Sequence, residues 1–223
     1  MAQRIAIVGD GAIGLALAFR LAQSPARPEI KVFGPRAIGE HYAGSWAAPA
    51  MVNVFGEVTT KHDRSWAARH MLDIGVASIE LWPDFLARLN RELAGHGEAP
   101  IALHRGTYLI ARPNRQQEIA NLGAVRKALD ERGYPYEELA LRPGLDGPIV
   151  RPERFHSGIF VPNEAFVDAR RLWEGLRRAL TARSNVELIP AMVTSLDAER
   201  RILRDEAGRE TEFDDVVLAN SFG

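Results

Sequence analysis

The 223-residue sequence has the composition of a soluble globular protein, with 46% hydrophobic and 26% charged residues. Its formal net charge of -1 gives no electrostatic reason to expect nucleic acid or an anionic membrane as a partner. The absence of cysteine excludes disulfides and a thiolate nucleophile, and no cluster has the ligand spacing of a metal site. The apolar stretches are too short to span a bilayer and the first strand leaves no room for a signal peptide, so we expect a cytoplasmic protein.

The first 33 residues have the pattern of a strand, a helix and a second strand. Arg4–Val8 and Glu29–Phe33 are short, mostly apolar runs, as expected of buried parallel strands. Ala12–Gln23 contains helix formers with little polarity on any face, which is typical of a helix packed closely on a sheet. This order predicts a doubly wound, Rossmann-like α/β fold.

The residues that join the first strand to the helix match the pattern G-x-G-x-x-G: Gly9, Asp10, Gly11, Ala12, Ile13 and Gly14. In such a turn the first glycine makes the sharp bend, the second lets a pyrophosphate approach the backbone, and the third lets the helix pack on the strand. The phosphates then meet N–H groups at the positive end of the helix dipole. The turn therefore predicts dinucleotide binding.

The end of the second strand bears on which dinucleotide binds. An acidic residue is expected there to hold a ribose hydroxyl, but Gly34 occupies the position and Pro35 follows it. Arg36 either contacts an adenosine phosphate, stacks on adenine or is a solvated loop charge. Taken alone, this departure favours NADP(H) over FAD.

The rest of the chain contains helix, strand and connector patterns. We predict a long loop without periodicity at 39–56, a helical segment at 64–93 interrupted near Pro83, a strand at 105–111, a surface helix at 114–132 and a connector at 141–156. Asp168 is expected to cap a helix that runs to Ala182, with its arginines solvated and its leucines buried. Strands follow at 186–189, 192–196, 201–204 and 212–213, the last three forming a meander, and 215–223 ends the chain in an apolar strand.

Five segments together resemble the D-amino-acid oxidase and glycine/sarcosine oxidase family. Beyond the glycine turn, Gly44–Met51 resembles its flavin loop, Arg105–Ala111 its first substrate-domain strand, and Pro162–Asp168 the segment that leads into its next helix. Val193 falls where a family strand lies against the adenine, and Val216–Ala219 resembles the strand that returns to the cofactor. The order and spacing of these segments extend over nearly the whole chain.

This resemblance implies an FAD-binding domain with a β-meander, formed by 1–98 and 163–223, and part of an α+β substrate domain at 99–162. It implies FAD-dependent oxidation of a small amine or amino acid, with hydride transfer to the flavin and reoxidation by oxygen. The residues implied near the cofactor, besides the glycine turn, are Gly34, Pro35, Arg36, Ser45, Trp46, Ala47, Val193, Ala219 and Asn220. Ser45 either donates to the pyrophosphate or the flavin or is an ordinary loop residue, and Trp46 either walls the active site or packs in a core. No catalytic residue is implied.

Three residues depart from the family pattern, and family members are longer. Gly34 replaces the ribose-binding acid, Pro49 removes a backbone donor from the flavin loop, and Ser221 stands where the last strand usually runs into glycine. Family members continue past the returning strand, so we expect a second polypeptide to complete the fold, as a separate subunit or a cleavage product. Two alternatives stay open: an NADP(H)-binding reductase, and a non-catalytic cofactor-holding subunit.

Overall fold

The computed structural model describes residues 2–34, 44–62, 65–139 and 152–220. By its internal contacts the chain divides into two compact units. The first unit comprises Met1–Ala50, Ala87–Ile101 and Asp168–Gly223, and the second comprises Met51–Leu86 and Ala102–Val167. The domain boundaries that we expect from the sequence stay predictions.

The secondary structure follows the chain from a βαβ unit to a final parallel strand. The helices are α1 (Ala12–Ala22), α2 (Gly44–Ala47), α3 (Trp66–Ala94), α4 (Gln116–Arg132) and α5 (Ala169–Thr181), with 3-10 turns at Phe55–Glu57 and Pro152–Arg154. The strands are β1 (Arg4–Val8), β2 (Glu29–Gly34), β3 (Met51–Val52), β4 (Leu103–Ala111), β5 (Glu137–Glu138), β6 (Ser157–Val167), β7 (Val186–Pro190), β8 (Val193–Asp197), β9 (Ile202–Asp205), β10 (Glu210–Glu212) and β11 (Asp215–Leu218).

The first unit is built on a parallel sheet with the strand order β11-β1-β2-β7. Helices α1 and α5 pack together, and their apolar side chains are fully buried at Leu15, Phe19, Leu176 and Leu180. Burial of each such side chain stabilises the fold by about 1.5–3 kcal/mol. The predicted doubly wound α/β domain is confirmed.

Strands β8, β9 and β10 form an antiparallel meander in the first unit, as the sequence predicts. Its Leu203 and the following Phe213 share a buried cluster with Ala6 of β1 and Phe33 of β2. The Phe33 and Phe213 rings meet edge to face, with their centroids 6.0 Å apart. These contacts fix the meander beside the first two parallel strands.

The second unit has an antiparallel sheet in which β6 lies between β3 and β4. Glu164 of β6 is fully buried. Its Oε1 accepts hydrogen bonds from the backbone amides of Val54, at 2.8 Å, and Phe55, at 2.7 Å. Burial raises the pKa of Glu164, and these two amides oppose the rise. The carboxyl group therefore ties the segment before the 3-10 turn to β6.

Two expectations from the sequence need correction. Helix α3 continues through Pro83, because the helix on either side of the missing hydrogen bond is anchored by the buried Ile79 and Leu86. The loop expected at 39–56 contains α2, β3 and the start of a 3-10 turn in its described part; elements this short leave no periodicity. The connector predicted at 141–156 is followed by β6, a strand that the sequence pattern does not predict because Pro162 lies inside it.

The irregular pairing of β4 with β6 explains how a strand accommodates proline. The register shifts between Arg105 and Thr107, which pair with Ala165 and Val161. Pro162 therefore lies in the part of β6 that faces the irregularity, where the regular ladder is interrupted and the missing donor costs little.

The cap at Asp168 is confirmed: its side chain accepts hydrogen bonds from the amides of Arg170 and Arg171, each at 3.0 Å. Among the described residues, no helix combines the length and apolar character that a membrane crossing needs. The cytoplasmic location stays a prediction.

Candidate cofactor-binding site

The glycine turn begins with a bend that only glycine adopts easily. Gly9 has φ +118°, and its N–H donates to the carbonyl of Phe33 at 2.8 Å. A Cβ atom added to Gly9 would lie 2.7 Å from the carbonyl carbon of Ala219 and 2.8 Å from the backbone nitrogen of Asn220. The turn and the end of β11 therefore pack backbone against backbone, so two predicted site segments meet here.

Gly14 holds α1 close to this bend. A Cβ atom at Gly14 would overlap the carbonyl oxygen of Gly9 and lie 3.4 Å from the Cβ of Ala219. The third glycine of the motif is therefore required by packing within the protein, as the sequence argument expects.

Gly11 differs from the other two glycines of the turn. Its φ of −70° and ψ of 178° are open to any residue, and among the described residues a Cβ atom there would meet only the Ser45 hydroxyl, at 3.4 Å. The described part of the fold therefore does not demand glycine at this position. A bare backbone leaves room for a ligand at the start of α1.

Ser45 lies at the start of α1. Its hydroxyl oxygen accepts a hydrogen bond from the Ala12 amide at 2.9 Å, so it satisfies one of the donors that a helix start leaves open. Because that oxygen already accepts, the hydroxyl proton can be directed to a bound anion. The neighbouring Ile13 is 76% exposed, although it is apolar.

Asp10 connects the turn to α5. Its Oδ2 accepts a hydrogen bond from Arg177 Nη1 at 2.8 Å, and its backbone carbonyl accepts one from Trp173 Nε1, also at 2.8 Å. The Arg177 guanidinium lies over the Trp173 ring, 4.7 Å from the centroid. The expectation that the arginines of this helix are solvated is therefore wrong for Arg177, whereas its leucines are buried as expected.

The end of β2 lies directly beside Asp10. A Cβ atom added to the buried Gly34 would lie 2.6 Å from both Cβ and Oδ1 of Asp10. Burial raises the pKa of Asp10, and the charge of Arg177 opposes the rise. The carboxyl group of Asp10 thus lies beside the end of β2, although the last residue of that strand is Gly34.

The remaining predicted site residues differ in how far the structure describes them. Val193 packs on the buried cluster that contains Phe33, close to β2. Trp46 and Ala47 lie in α2, and their side chains fall outside the described part of the chain. Pro35 and Arg36 lie outside the described residues. All these assignments to the cofactor stay predictions.

Two candidate site residues are not predicted from the sequence. Arg177 and Trp173 reach the glycine turn from α5, more than 160 positions along the chain. The spacing of four residues that places both on one face of α5 is visible in the sequence. Their contacts with Asp10 are not visible in the sequence, because Asp10 lies on a different element.

A parallel sheet, a glycine turn at the carboxyl end of β1 and a helix start beside it define a dinucleotide-binding α/β protein. A family model described as FAD dependent oxidoreductase matches residues 4–223, and the chain belongs to that family. The family resemblance and the FAD cofactor that the sequence predicts are confirmed. A search of curated protein sequences gave no significant match.

Solved oxidase structures share this fold. Glycine oxidase from Geobacillus kaustophilus superposes with a TM-score of 0.76 and 23% identity, over 98% of this chain and 56% of that one. Iminodiacetate oxidase from Chelativorans sp. BNC1 gives a TM-score of 0.67 and 18% identity, over 96% of this chain and 54% of that one. The chain thus spans about half the length of these structures.

The residues of the turn fit FAD. A cradle that a side chain at Gly11 would fill, a helix start and a hydroxyl group at Ser45 together suit a diphosphate. The family to which the chain belongs is FAD-dependent, so the bound dinucleotide is FAD. The preference for NADP(H) inferred from the end of β2 alone does not hold.

Proposed function

We propose that this chain forms the FAD-binding part of an oxidoreductase that acts on the C–N bond of a small amine or amino acid. The observation that carries the proposal is the glycine turn, which opens onto the start of α1 with Ser45 beside it, in a chain whose family model extends over residues 4–223. The similar structures named glycine oxidase and iminodiacetate oxidase support an amine or amino-acid substrate. Glycine and iminodiacetate are therefore the first compounds to test.

The protein's own contribution is electrostatic and positional. The amides at the start of α1 neutralise part of the diphosphate charge, and the Ser45 hydroxyl adds one donor. The absence of a side chain at Gly11 lets the ligand approach the backbone. When bound, FAD supplies the redox chemistry, which is uptake of hydride from the carbon next to nitrogen and reoxidation by oxygen.

We further infer that complete activity needs polypeptide beyond these elements, as a separate subunit or as the other product of a cleavage. The similar structures are almost twice as long as this chain. Large apolar side chains are exposed on both units, among them Met192 and Leu218 of the first and Tyr108 and Phe166 of the second. Such residues suit surfaces that further polypeptide covers.

Replacing Gly11 with alanine tests the cofactor site. The alanine Cβ fits the folded chain, so we expect an unchanged unfolding temperature and a dissociation constant for FAD raised at least tenfold, or about 1.4 kcal/mol. Quenching of flavin fluorescence on binding measures that constant. The matched control is Gly123→Ala on α4, where the added Cβ meets no atom of the described residues within 4 Å, so FAD affinity should not change. Equal affinities in the two variants would refute the proposed site.

Activity is tested on the chain together with whatever copurifies with it. We expect a yellow protein with the visible spectrum of bound flavin, and amine-dependent hydrogen peroxide formation when the complete assembly is present. A colourless protein that binds NADPH instead of FAD would refute the assignment. Oxidation by the 223-residue chain alone would contradict the need for further polypeptide, and a flavin-loaded complete assembly without oxidase activity would favour the non-catalytic alternative.

A further inference from the structure

The end of β2 lacks the side chain that dinucleotide-binding folds use to hold the adenosine ribose. In those folds an acidic residue at this position hydrogen-bonds a ribose hydroxyl. Here the position is Gly34, which is buried. The space that its side chain would enter is already taken, since an added Cβ would lie 2.6 Å from Asp10 Cβ and Oδ1.

We propose that Asp10 supplies the ribose-binding carboxylate from the glycine turn, in place of an acid on β2. The inference deepens the proposed function and rests on it, because it needs FAD to lie on the glycine turn. The two positions are complementary: an acid at residue 34 and the observed position of Asp10 exclude each other sterically. Asp10 provides the same functional group as the usual acid on β2. It reaches the same end of the sheet, because it follows β1, which pairs with β2 in parallel.

Two side chains of α5 hold Asp10 in place. Trp173 Nε1 donates to its backbone carbonyl and Arg177 Nη1 to its Oδ2, each at 2.8 Å. Because these donors engage the carbonyl and one carboxylate oxygen, both the main chain and the side chain of Asp10 are oriented. The Asp10 side chain keeps about 10% of its surface exposed, and Oδ1 is the oxygen close to Gly34.

Arg177 also removes an electrostatic obstacle. An unpaired carboxylate near a diphosphate would repel it, whereas the ion pair of Asp10 with Arg177 is neutral as a unit. A carboxylate at this end of the sheet hydrogen-bonds an unphosphorylated ribose hydroxyl in dinucleotide-binding folds, and the adenosine ribose of FAD carries such a hydroxyl.

A purely structural role for the pair predicts different binding behaviour. If Asp10 only fastens α5 to the turn, its loss weakens every ligand of the turn alike. If it holds the ribose hydroxyl, its loss abolishes discrimination between ligands that differ in that hydroxyl alone. ADP and 2′-deoxy-ADP are such a pair, and both carry the diphosphate that the turn binds.

The test is calorimetric titration of ADP and 2′-deoxy-ADP into the chain after removal of FAD. For the natural sequence we expect ADP to bind about tenfold more tightly, the effect of one hydrogen bond to a charged group. In Asp10→Ala the ratio should fall to about one. Asp10→Asn, which keeps the side-chain volume, should give an intermediate ratio and covers the case in which the alanine variant does not fold.

A double variant tests whether an acid placed on β2 restores the discrimination between ADP and 2′-deoxy-ADP. Asp10→Ala combined with Gly34→Glu moves the acid to the end of β2 and frees the space for it, so discrimination should return. Gly34→Glu alone should lose FAD, because it collides with Asp10. An unchanged ratio in Asp10→Ala or Asp10→Asn, or no preference for ADP in the natural sequence, would overturn the role of Asp10 while leaving FAD binding intact. Failure of the natural chain to bind FAD at all would overturn the proposed function and this inference together.

Discussion

Replacing Glu164 with alanine should destabilise the second unit strongly. The change removes the oxygen that accepts from the amides of Val54 and Phe55, at 2.8 and 2.7 Å. A buried donor left without a partner costs about 1–3 kcal/mol, so the buried Phe55 amide and the part-buried Val54 amide together cost up to about 6 kcal/mol. Relief from burying a carboxyl group offsets part of this loss, because burial raises the pKa of Glu164. We expect a net loss of about 2–4 kcal/mol in the free energy of unfolding at pH 7.

Glu164→Gln is the matched control, because its side-chain oxygen still accepts from both amides. At pH 7 we expect it to lie within about 1 kcal/mol of the natural protein. A folded pKa above the unfolded value, which is about 4.3, makes the contribution of Glu164 largest below that pH. The contribution is then lost as the pH rises through the folded pKa.

Urea unfolding followed by circular dichroism between pH 4 and pH 8 measures both effects. The stability of the natural protein should fall relative to Glu164→Gln as the pH rises, since glutamine does not titrate. A difference that is constant with pH, or that changes in the opposite direction, would refute the assignment of a burial-raised pKa. An alanine variant as stable as the natural protein would refute the role of the two amides.

Three further predictions concern the first unit. Gly14→Ala should lower the unfolding temperature and abolish FAD binding, because the added Cβ overlaps the Gly9 carbonyl; a folded, flavin-loaded variant would contradict the packing argument. Ser45→Ala should raise the dissociation constant for FAD about two- to tenfold by removing the hydroxyl beside the Ala12 amide; unchanged flavin fluorescence titrations would contradict it. Asp168→Ala should cost about 1 kcal/mol in chemical unfolding, whereas Asp168→Asn should keep the cap and most of the stability.

The sequence predicts the glycine turn well because its requirements are local. The bend at Gly9 depends on one positive φ, and the role of Gly14 depends on a contact only five positions away. Both constraints leave glycine at fixed spacing after an apolar strand, which a pattern can detect. The cap at Asp168 is predictable for the same reason, since its partners are the amides two and three residues later.

The surroundings of the turn are less predictable because they come from distant segments. Ser45 reaches the Ala12 amide from 33 positions away, and Arg177 reaches Asp10 from 167 positions away. An arginine on an amphipathic helix gives the same local pattern whether it is solvated or paired. Strand β6 is not predicted for a related reason. Pro162 argues locally against a strand, and the irregular pairing with β4, which accommodates the proline, comes from a distant segment.

The dependence on distant segments has a thermodynamic consequence for the site. Gly9 contacts the backbone after β11, and Asp10 is held by α5, so the turn has its described geometry only when the first unit is folded around it. A ligand that binds this geometry and not the unfolded chain stabilises those distant contacts by mass action. Cofactor affinity and the stability of the first unit are therefore coupled. The local glycine pattern therefore identifies what kind of ligand the site binds. The contacts with β11 and α5 contribute to how tightly that ligand is bound.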